Sequence, residues 1–325
     1  MTQTMTMAKA LNAGLRRALD ADPKVLLAGE DIGKLGGVFR ITEHLQRDFG
    51  PDRVVDSPLA ESGIVGTSLG LALRGYRPIV EIQFDGFVWP AFDQIVSQVS
   101  RMRFRSMGRL SVPMVIRIPF GGAIGSIEHH AESPEAYFAH TPGLVVVSPS
   151  TPLDAYWMIQ QAAASDDPVI FLEPKRRYHE KGEVDLSEPP LPMTAARVVL
   201  QGTDATILAY GPMVKTCVEA AIAASAEGRS IEVVDLRSLS PLDDATIRAS
   251  VEKTGRAIVV HEAVRSGGLG AEIAARIQEE CFYSLESPVL RVTAYDMPYP
   301  PSRVEKNYLP DLDRILDAVD RSLAH

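Results

Sequence analysis

The sequence is poor in the residues that build stapled or metal-held folds. Among 325 residues there are two cysteines, Cys217 and Cys281, and seven histidines. Two cysteines cannot form the bridge framework of a small secreted domain, so a reducing cytoplasm is the simpler expectation. No Cys/His spacing reads as a zinc site. No window approaches eighteen apolar residues without charge, so no segment reads as a membrane span. The first twenty residues, MTQTMTMAKALNAGLRRALD, read as a short amphipathic helix and not as a signal peptide. A basic excess is missing too: 33 Lys plus Arg stand against 42 Asp plus Glu, a net charge of −9. That argues against a nucleic-acid or membrane-surface protein. The common phosphate cradles are absent, with no G-x-x-x-x-G-K-[ST] and no complete G-x-G-x-x-G. Ser266-Gly267-Gly268-Leu269-Gly270 comes nearest and reads as a flexible turn into a helix. There is no G-x-S-x-G, hence no α/β-hydrolase nucleophile elbow.

What remains is an ordinary globular composition, 46% hydrophobic and 23% charged, in a chain longer than one core usually serves. Strand-length apolar runs, among them PIVEIQF, MVIRI and VIFL, alternate with helical spacings at 62–73, 91–104, 134–139 and 153–164. This alternation implies an α/β fold with a mostly parallel sheet, buried under helices on both faces. The stretch HEKGEVDLSEPPLPM then loses its period and carries three prolines, so 179–195 reads as a linker. Alternation resumes with ATILAY, IEVVD, AIVV and VLRVT as strands and with helices at 213–226, 243–252 and 269–280. Two α/β domains follow, at 1–178 and 196–325.

Three stretches carry chemistry. In DSPLAESGIVGTSLG, Glu61 opens a helical run, where the helix dipole favours a carboxylate. Gly63, Gly66 and Gly70 lie along one side of that helix, which points to a close crossing by another helix, of this chain or of another subunit; the plainer reading is local burial. In EIQFDGFVWPAFDQ, Phe87 follows Gly86 just beyond a strand end, where ligands enter open α/β sheets and an aromatic can stack on a heterocycle. Phe84 and Phe92 read as core, and Gln83 as a polar interruption of an apolar strand. In FGGAIGSIEHHAESPEAYFAHTPG, His129 and His130 lie in a loop before a helix that Ser133 caps and Pro134 begins. A loop histidine can move protons near neutral pH, although either one alone reads as a surface residue. His140 reads as closing a buried hydrogen bond.

The segments GEDIGKLGGVFRIT, SPLAESGIVGTSLGLALRGYRPIVEIQF, PAFDQIVSQVSRMRFRS, HHAESPEAYFAHTPGLVVVSPSTPLDA and FLEPKR occur in that order. Together with GRAIVVHEAVRSGGLGAEIAARI and MPYPPSRVEKNYLPD they resemble the beta subunit of the thiamine-diphosphate-dependent 2-oxoacid dehydrogenase component, over nearly the whole chain. The resemblance implies a pyrimidine-binding domain followed by a transketolase C-terminal-like domain, in a heterotetramer of two alpha and two beta chains. It matches Glu61 to the glutamate that hydrogen-bonds the cofactor's aminopyrimidine, favouring the tautomer that deprotonates the thiazolium carbon. It matches Phe87 to the aromatic packed on that ring and Gln83 to a position lining the pocket. Tyrosine is common at the Phe87 position in branched-chain members. Counted back from SPEAYFAH, His130 matches the histidine of acyl transfer to lipoyl, with His129 the alternative if the register shifts by one. Potassium is bound in some members near the turn that here reads Ser165-Asp166-Asp167, and no metal ligand is assigned in this chain. The G-D-G…N motif that holds magnesium and diphosphate is absent, which by the resemblance leaves both to the alpha subunit. The expected activity is oxidative decarboxylation of a 2-oxoacid and acylation of a lipoylated dihydrolipoyl acyltransferase core. Gln83 in its EIQF context favours a branched-chain 2-oxoacid. The alternatives are a pyruvate dehydrogenase beta subunit, a self-sufficient transketolase-like synthase, or a non-catalytic assembly module.

Overall fold

Short aliphatic runs flanked by helical periods can bury both faces of a strand only inside a parallel sheet. That is what the N-terminal half builds. The computed structural model describes residues 1–325. Contacts divide it into two units, Met1–Phe120 with Tyr137–Met193, and Gly121–Ala136 with Thr194–His325.

The first unit holds strands β1 (Thr2–Thr6), β2 (Val25–Gly29), β3 (Val54–Asp56), β4 (Arg77–Glu81), β5 (Val115–Phe120), β6 (Val145–Val147), β7 (Val169–Pro174) and β8 (Lys181–Asp185). Six of them run parallel in the order β6-β7-β5-β4-β2-β3. Helix α1 (Met7–Ala21) buries Met7, Leu11, Leu15 and Leu19, a stripe at i+4 spacing, into the core with Leu27, Ile79 and Phe171. Gly14 lets α1 approach α6 (Pro152–Ala164), because a Cβ there would meet the Tyr156 carbonyl oxygen at 2.7 Å. The N-terminus of α6 is fixed by Thr151, whose hydroxyl accepts the Asp154 N–H, and by Pro152 at the first helical position. The remaining helices are α2 (Leu45–Phe49), α3 (Glu61–Leu73), α4 (Met102–Arg105) and α5 (Glu135–Ala139), the last starting in the second unit.

The second unit holds β9 (Arg197–Leu200), β10 (Ala205–Ala209), β11 (Ile231–Asp235), β12 (Ser238–Ser240), β13 (Ala257–Val264) and β14 (Leu290–Ala294). Its sheet runs β14-β13-β10-β11-β9, parallel except for β9, which is antiparallel to β11. Helices α7 (Met213–Ser225) and α11 (Leu312–Leu323) seal one core, where Cys217, Ile315 and Val319 meet Ile207, Val233 and Ile258. Helices α8 (Asp244–Thr254), α9 (Leu269–Cys281) and α10 (Glu305–Tyr308) complete it. No helix is long and apolar enough to cross a membrane.

Several expectations are corrected. The chain opens on strand β1, and the helix starts only at Met7. The segment read as a linker contains β8, which pairs antiparallel with β1, Thr2 opposite Asp185. Its K-G-E-V-D sequence is polar because the ribbon has two strands and buries only Val184 fully. By its contacts the segment Gly121–Ala136 groups with the second unit. The helix expected over 91–104 is a π-helical stretch, Gln94–Val99, then α4. There the Ser100 N–H reaches back five residues to Ile95, and the Ser100 hydroxyl bonds the Val96 carbonyl. Of the two crossings expected at Gly63, Gly66 and Gly70, the one within the chain is not made. Nothing lies within 4 Å of a Cβ at Gly70, and Gly66 faces only the Gln94 side chain.

Candidate active site

The C-terminal edge of the first sheet collects acidic and aromatic side chains. Helix α3 begins at Glu61, which is buried, so its carboxylate enters at the positive end of the helix dipole. Strand β2 ends at Gly29, and the next residue, Glu30, is also buried with its Oε1 unpartnered. Burial holds the Glu30 carboxyl above its ordinary value. The charges of Glu61 and Asp31 add to this, and a backbone hydrogen bond from Ala60 opposes it. Sequence reasoning missed Glu30. Its signal was there in GEDIG, directly after a strand, at the end where open α/β sheets take ligands.

Strand β4 stops at Glu81, so Gln83 lies in a half-buried bend past the strand and not inside it as expected. Phe87 is half-buried in the 3-10 turn Asp85–Ala91, edge-on to Phe84 at 5.6 Å between ring centres. Phe84 and Phe92, read as core, are half-buried as well. Phe84 takes part in an aromatic chain that includes Phe39. The turn is pinned from below by Asp85, which forms a fully buried ion pair with Lys175. The Lys175 ammonium also faces the Phe84 ring at 5.6 Å.

Beneath these groups lies Arg117 of β5, fully enclosed in the sheet. It donates to Glu173 at 2.6 and 3.0 Å and to Glu81 at 2.7 Å, while the Tyr178 hydroxyl donates to Glu173 at 2.6 Å. Burial pushes the Glu81 carboxyl up, and a guanidinium shared with Glu173 offsets only part of that. Neither the arginine in MVIRI nor its two carboxylates stand out in sequence, because the carboxylates come from two other strands, β4 and β7.

The histidines belong to the second unit. His129 and His130 lie in the 3-10 turn Glu128–His130, both half-buried, with ring centres 4.5 Å apart. The loop leading to them is tied down at its backbone. The Gly122 N–H donates to Glu262 at 3.1 Å, the Ala123 N–H to the Tyr299 hydroxyl at 3.0 Å, and the Gly125 N–H to Glu305 at 3.2 Å. At the far end, Tyr210 donates to the buried Glu135 carboxylate at 2.6 Å. His140, expected to close a buried hydrogen bond, is exposed. Gly268 and Gly270, in the turn into α9, pack against His261, which accepts the Gly270 N–H at 3.1 Å. Burial takes the His261 imidazole down to about 4, so it is a neutral, structural histidine at pH 7. No group of three His, Cys, Asp or Glu side chains is placed to hold a metal ion.

Residues 3–181 match the family model of the transketolase pyrimidine binding domain, and residues 194–315 that of the transketolase C-terminal domain. The chain is 63% identical to the pyruvate dehydrogenase E1 component subunit beta of Leifsonia xyli, over 99% of this chain and 96% of that one. It is 54% identical to the 3-methyl-2-oxobutanoate dehydrogenase subunit beta of Mycobacterium tuberculosis, over 99% and 93%. It is 48% identical to the pyruvate dehydrogenase E1 component subunit beta of Bacillus subtilis, over 98% of each. Among solved structures, a split-gene transketolase, an inactive beta4 tetramer, superposes with a TM-score of 0.80 at 23% identity over 98% of each chain, which supports the fold. With both domains matched in order and relatives alike along their whole length, the chain belongs to the beta subunits of 2-oxoacid dehydrogenase E1 components.

Proposed function

We propose that this beta subunit supplies the pyrimidine-facing half of a thiamine-diphosphate site and that its substrate is pyruvate. The observation that carries the reading is the buried Glu61 at the start of α3, beside a second buried carboxyl, Glu30, with an unpartnered oxygen. These residues fit an aminopyrimidine: a secluded carboxylate suits a ring nitrogen, and the half-buried Phe87 offers a face for stacking. Bound there, thiamine diphosphate would supply the nucleophilic carbon and electron sink that decarboxylation requires. Glu61 would share a proton with the ring nitrogen that faces it, and the nearby Glu30 disfavours a second negative charge. Gln83 would orient the polar edge of the ring, and Phe87 would exclude water from its face. Magnesium and the diphosphate would be held mainly by the alpha subunit. His130, or His129 in the shifted register, would handle the proton of the lipoyl thiol during acyl transfer to a lipoylated acyltransferase core.

On substrate, the relatives support pyruvate better than the branched-chain acid that Gln83 favoured. The 63% identical relative carries a pyruvate dehydrogenase name, and the 54% identical one a 3-methyl-2-oxobutanoate dehydrogenase name. The two acids differ by a methyl against an isopropyl group, and pocket discrimination per methylene is only about 1–3 kcal/mol.

The test is co-expression with an alpha chain in a heterotetramer, followed by turnover of pyruvate and of 3-methyl-2-oxobutanoate. The expected result is a higher kcat/KM for pyruvate, no turnover by the beta chain alone, and a loss of roughly 10²-fold or more in kcat for Glu61→Gln. Full activity of both Glu61→Gln and His130→Ala would leave only an assembly role.

A further inference from the structure

The segment that carries both histidines is held from the C-terminal domain by side chains nothing so far has given a role in the reaction. Glu305 uses both carboxylate oxygens: Oε1 accepts the Gly125 N–H at 3.2 Å, and Oε2 accepts the Tyr299 hydroxyl at 2.8 Å. The Tyr299 oxygen in turn accepts the Ala123 N–H at 3.0 Å. Ala123 needs that bond, because it is a non-glycine residue held at φ +63° between Gly121 at +87° and Gly125 at +73°. Gly122 is required at the same point, since a Cβ there would run into the Tyr299 ring, 2.6 Å from Cε2. The clamp has its own small core, in which Tyr299 and Tyr308 pack edge to face at 5.2 Å with Ala131, Ala294 and Leu309. Ala131 follows His130 directly, so the core grips the loop on the far side of the histidines. Both ends of the histidine turn are thus registered by one device, while the turn itself keeps exposed residues such as Ile127 and Glu128.

We propose that Tyr299 and Glu305 are positioning residues of the acyl-transfer half-reaction: they hold the backbone of 122–125 so that the His129–His130 turn keeps one presentation to the incoming lipoyl group. This rests on the role proposed above for His130. It adds that the C-terminal domain governs the second half of catalysis without touching the reacting atoms. Decarboxylation uses Glu61, Gln83 and Phe87 of the first unit and does not depend on the clamp.

The experiment uses the reconstituted heterotetramer with thiamine diphosphate and magnesium. Tyr299→Phe keeps the ring in its core and removes only the hydroxyl, and Glu305→Gln keeps the shape of the carboxylate. Decarboxylation is read with ferricyanide as electron acceptor, and acyl transfer with a free lipoylated domain. A separate readout is cleavage by a glutamyl endopeptidase at Glu128 and Glu132 of the beta chain. For Tyr299→Phe, kcat/KM for the lipoylated domain should fall about tenfold, the scale of one hydrogen bond. Ferricyanide turnover should stay within twofold, and cleavage at Glu128 should accelerate. Glu305→Gln should fall between wild type and Glu305→Ala. Equal losses in both assays, or unchanged proteolysis together with unchanged acyl transfer, would overturn the proposal. A wild-type heterotetramer that decarboxylates no 2-oxoacid would instead refute the function on which it rests.

Discussion

Replacing Glu135 by glutamine should make the protein more stable above neutral pH and leave its stability near pH 5 little changed. Glu135 is fully buried at the start of α5, and its carboxyl is pushed up to about 7. Burial is the main cause; the Tyr210 hydroxyl opposes it by donating to Oε1, the Glu262 charge adds to it, and Oε2 has no partner. In the unfolded chain the group titrates near 4.5. Below that pH both states are protonated and the full contribution is present. Between 4.5 and 7 the unfolded chain gives up its proton while the folded one keeps it, so stability falls as pH rises. The slope approaches about 1.4 kcal/mol per pH unit, for a total of roughly 3 kcal/mol. Glutamine keeps a carbonyl for Tyr210 and cannot ionise. Urea denaturation followed by circular dichroism at pH 5, 6.5 and 8 tests this. At a slope of about 2 kcal/mol/M, the variant's midpoint for the second unit should exceed wild type by roughly 1–2 M at pH 8. A difference that is the same at pH 5 and pH 8 would refute the reasoning, because the cost would then not lie in the proton.

Arg117→Met strands Glu81 and Glu173 in the sheet and should cost about 3–5 kcal/mol in thermal unfolding. Adding Glu81→Gln and Glu173→Gln should recover much of that loss. Gly143→Ala should destabilise by more than about 1 kcal/mol, since φ is +95° and the new methyl would meet the Ser100 carbonyl; its urea midpoint is the measure. Thr151→Ala should lower stability by about 1 kcal/mol through loss of the α6 cap, whereas Thr151→Ser should be close to neutral in the same assay.

Local chemistry was legible wherever a partner lay close in sequence. The run IEVVD is a strand from Ile231 to Asp235, as its aliphatics require, and α3 starts within a residue of its expected position. Glu61 was visible because a carboxylate opening a helix is a local signal. The chain's own start was misread because β1 owes its strand character to β8, about 180 residues later, and not to its own T-Q-T-M-T sequence. Arg117 and the anchors of the histidine loop were illegible for the same reason. A buried charge is tolerable only through partners on other strands, and Glu262, Tyr299 and Glu305 reach the loop from 140 to 180 positions away. Helix α11, with Ile315, Ala318 and Val319 buried, carries an apolar stripe legible in its own sequence.

The reach of Glu305 back to Gly125 also has a consequence during synthesis. The two are 180 residues apart. At a translation rate of about 5–20 residues per second, the histidine loop waits roughly 10–40 s for its clamp after it is made. Early in that interval β6 and β7 are made and the first sheet can be completed, yet the segment emerging from the end of β5 still has nothing to hold it. A nascent chain stalled before Tyr299 should therefore carry an ordered first sheet with an open, protease-sensitive loop at its edge.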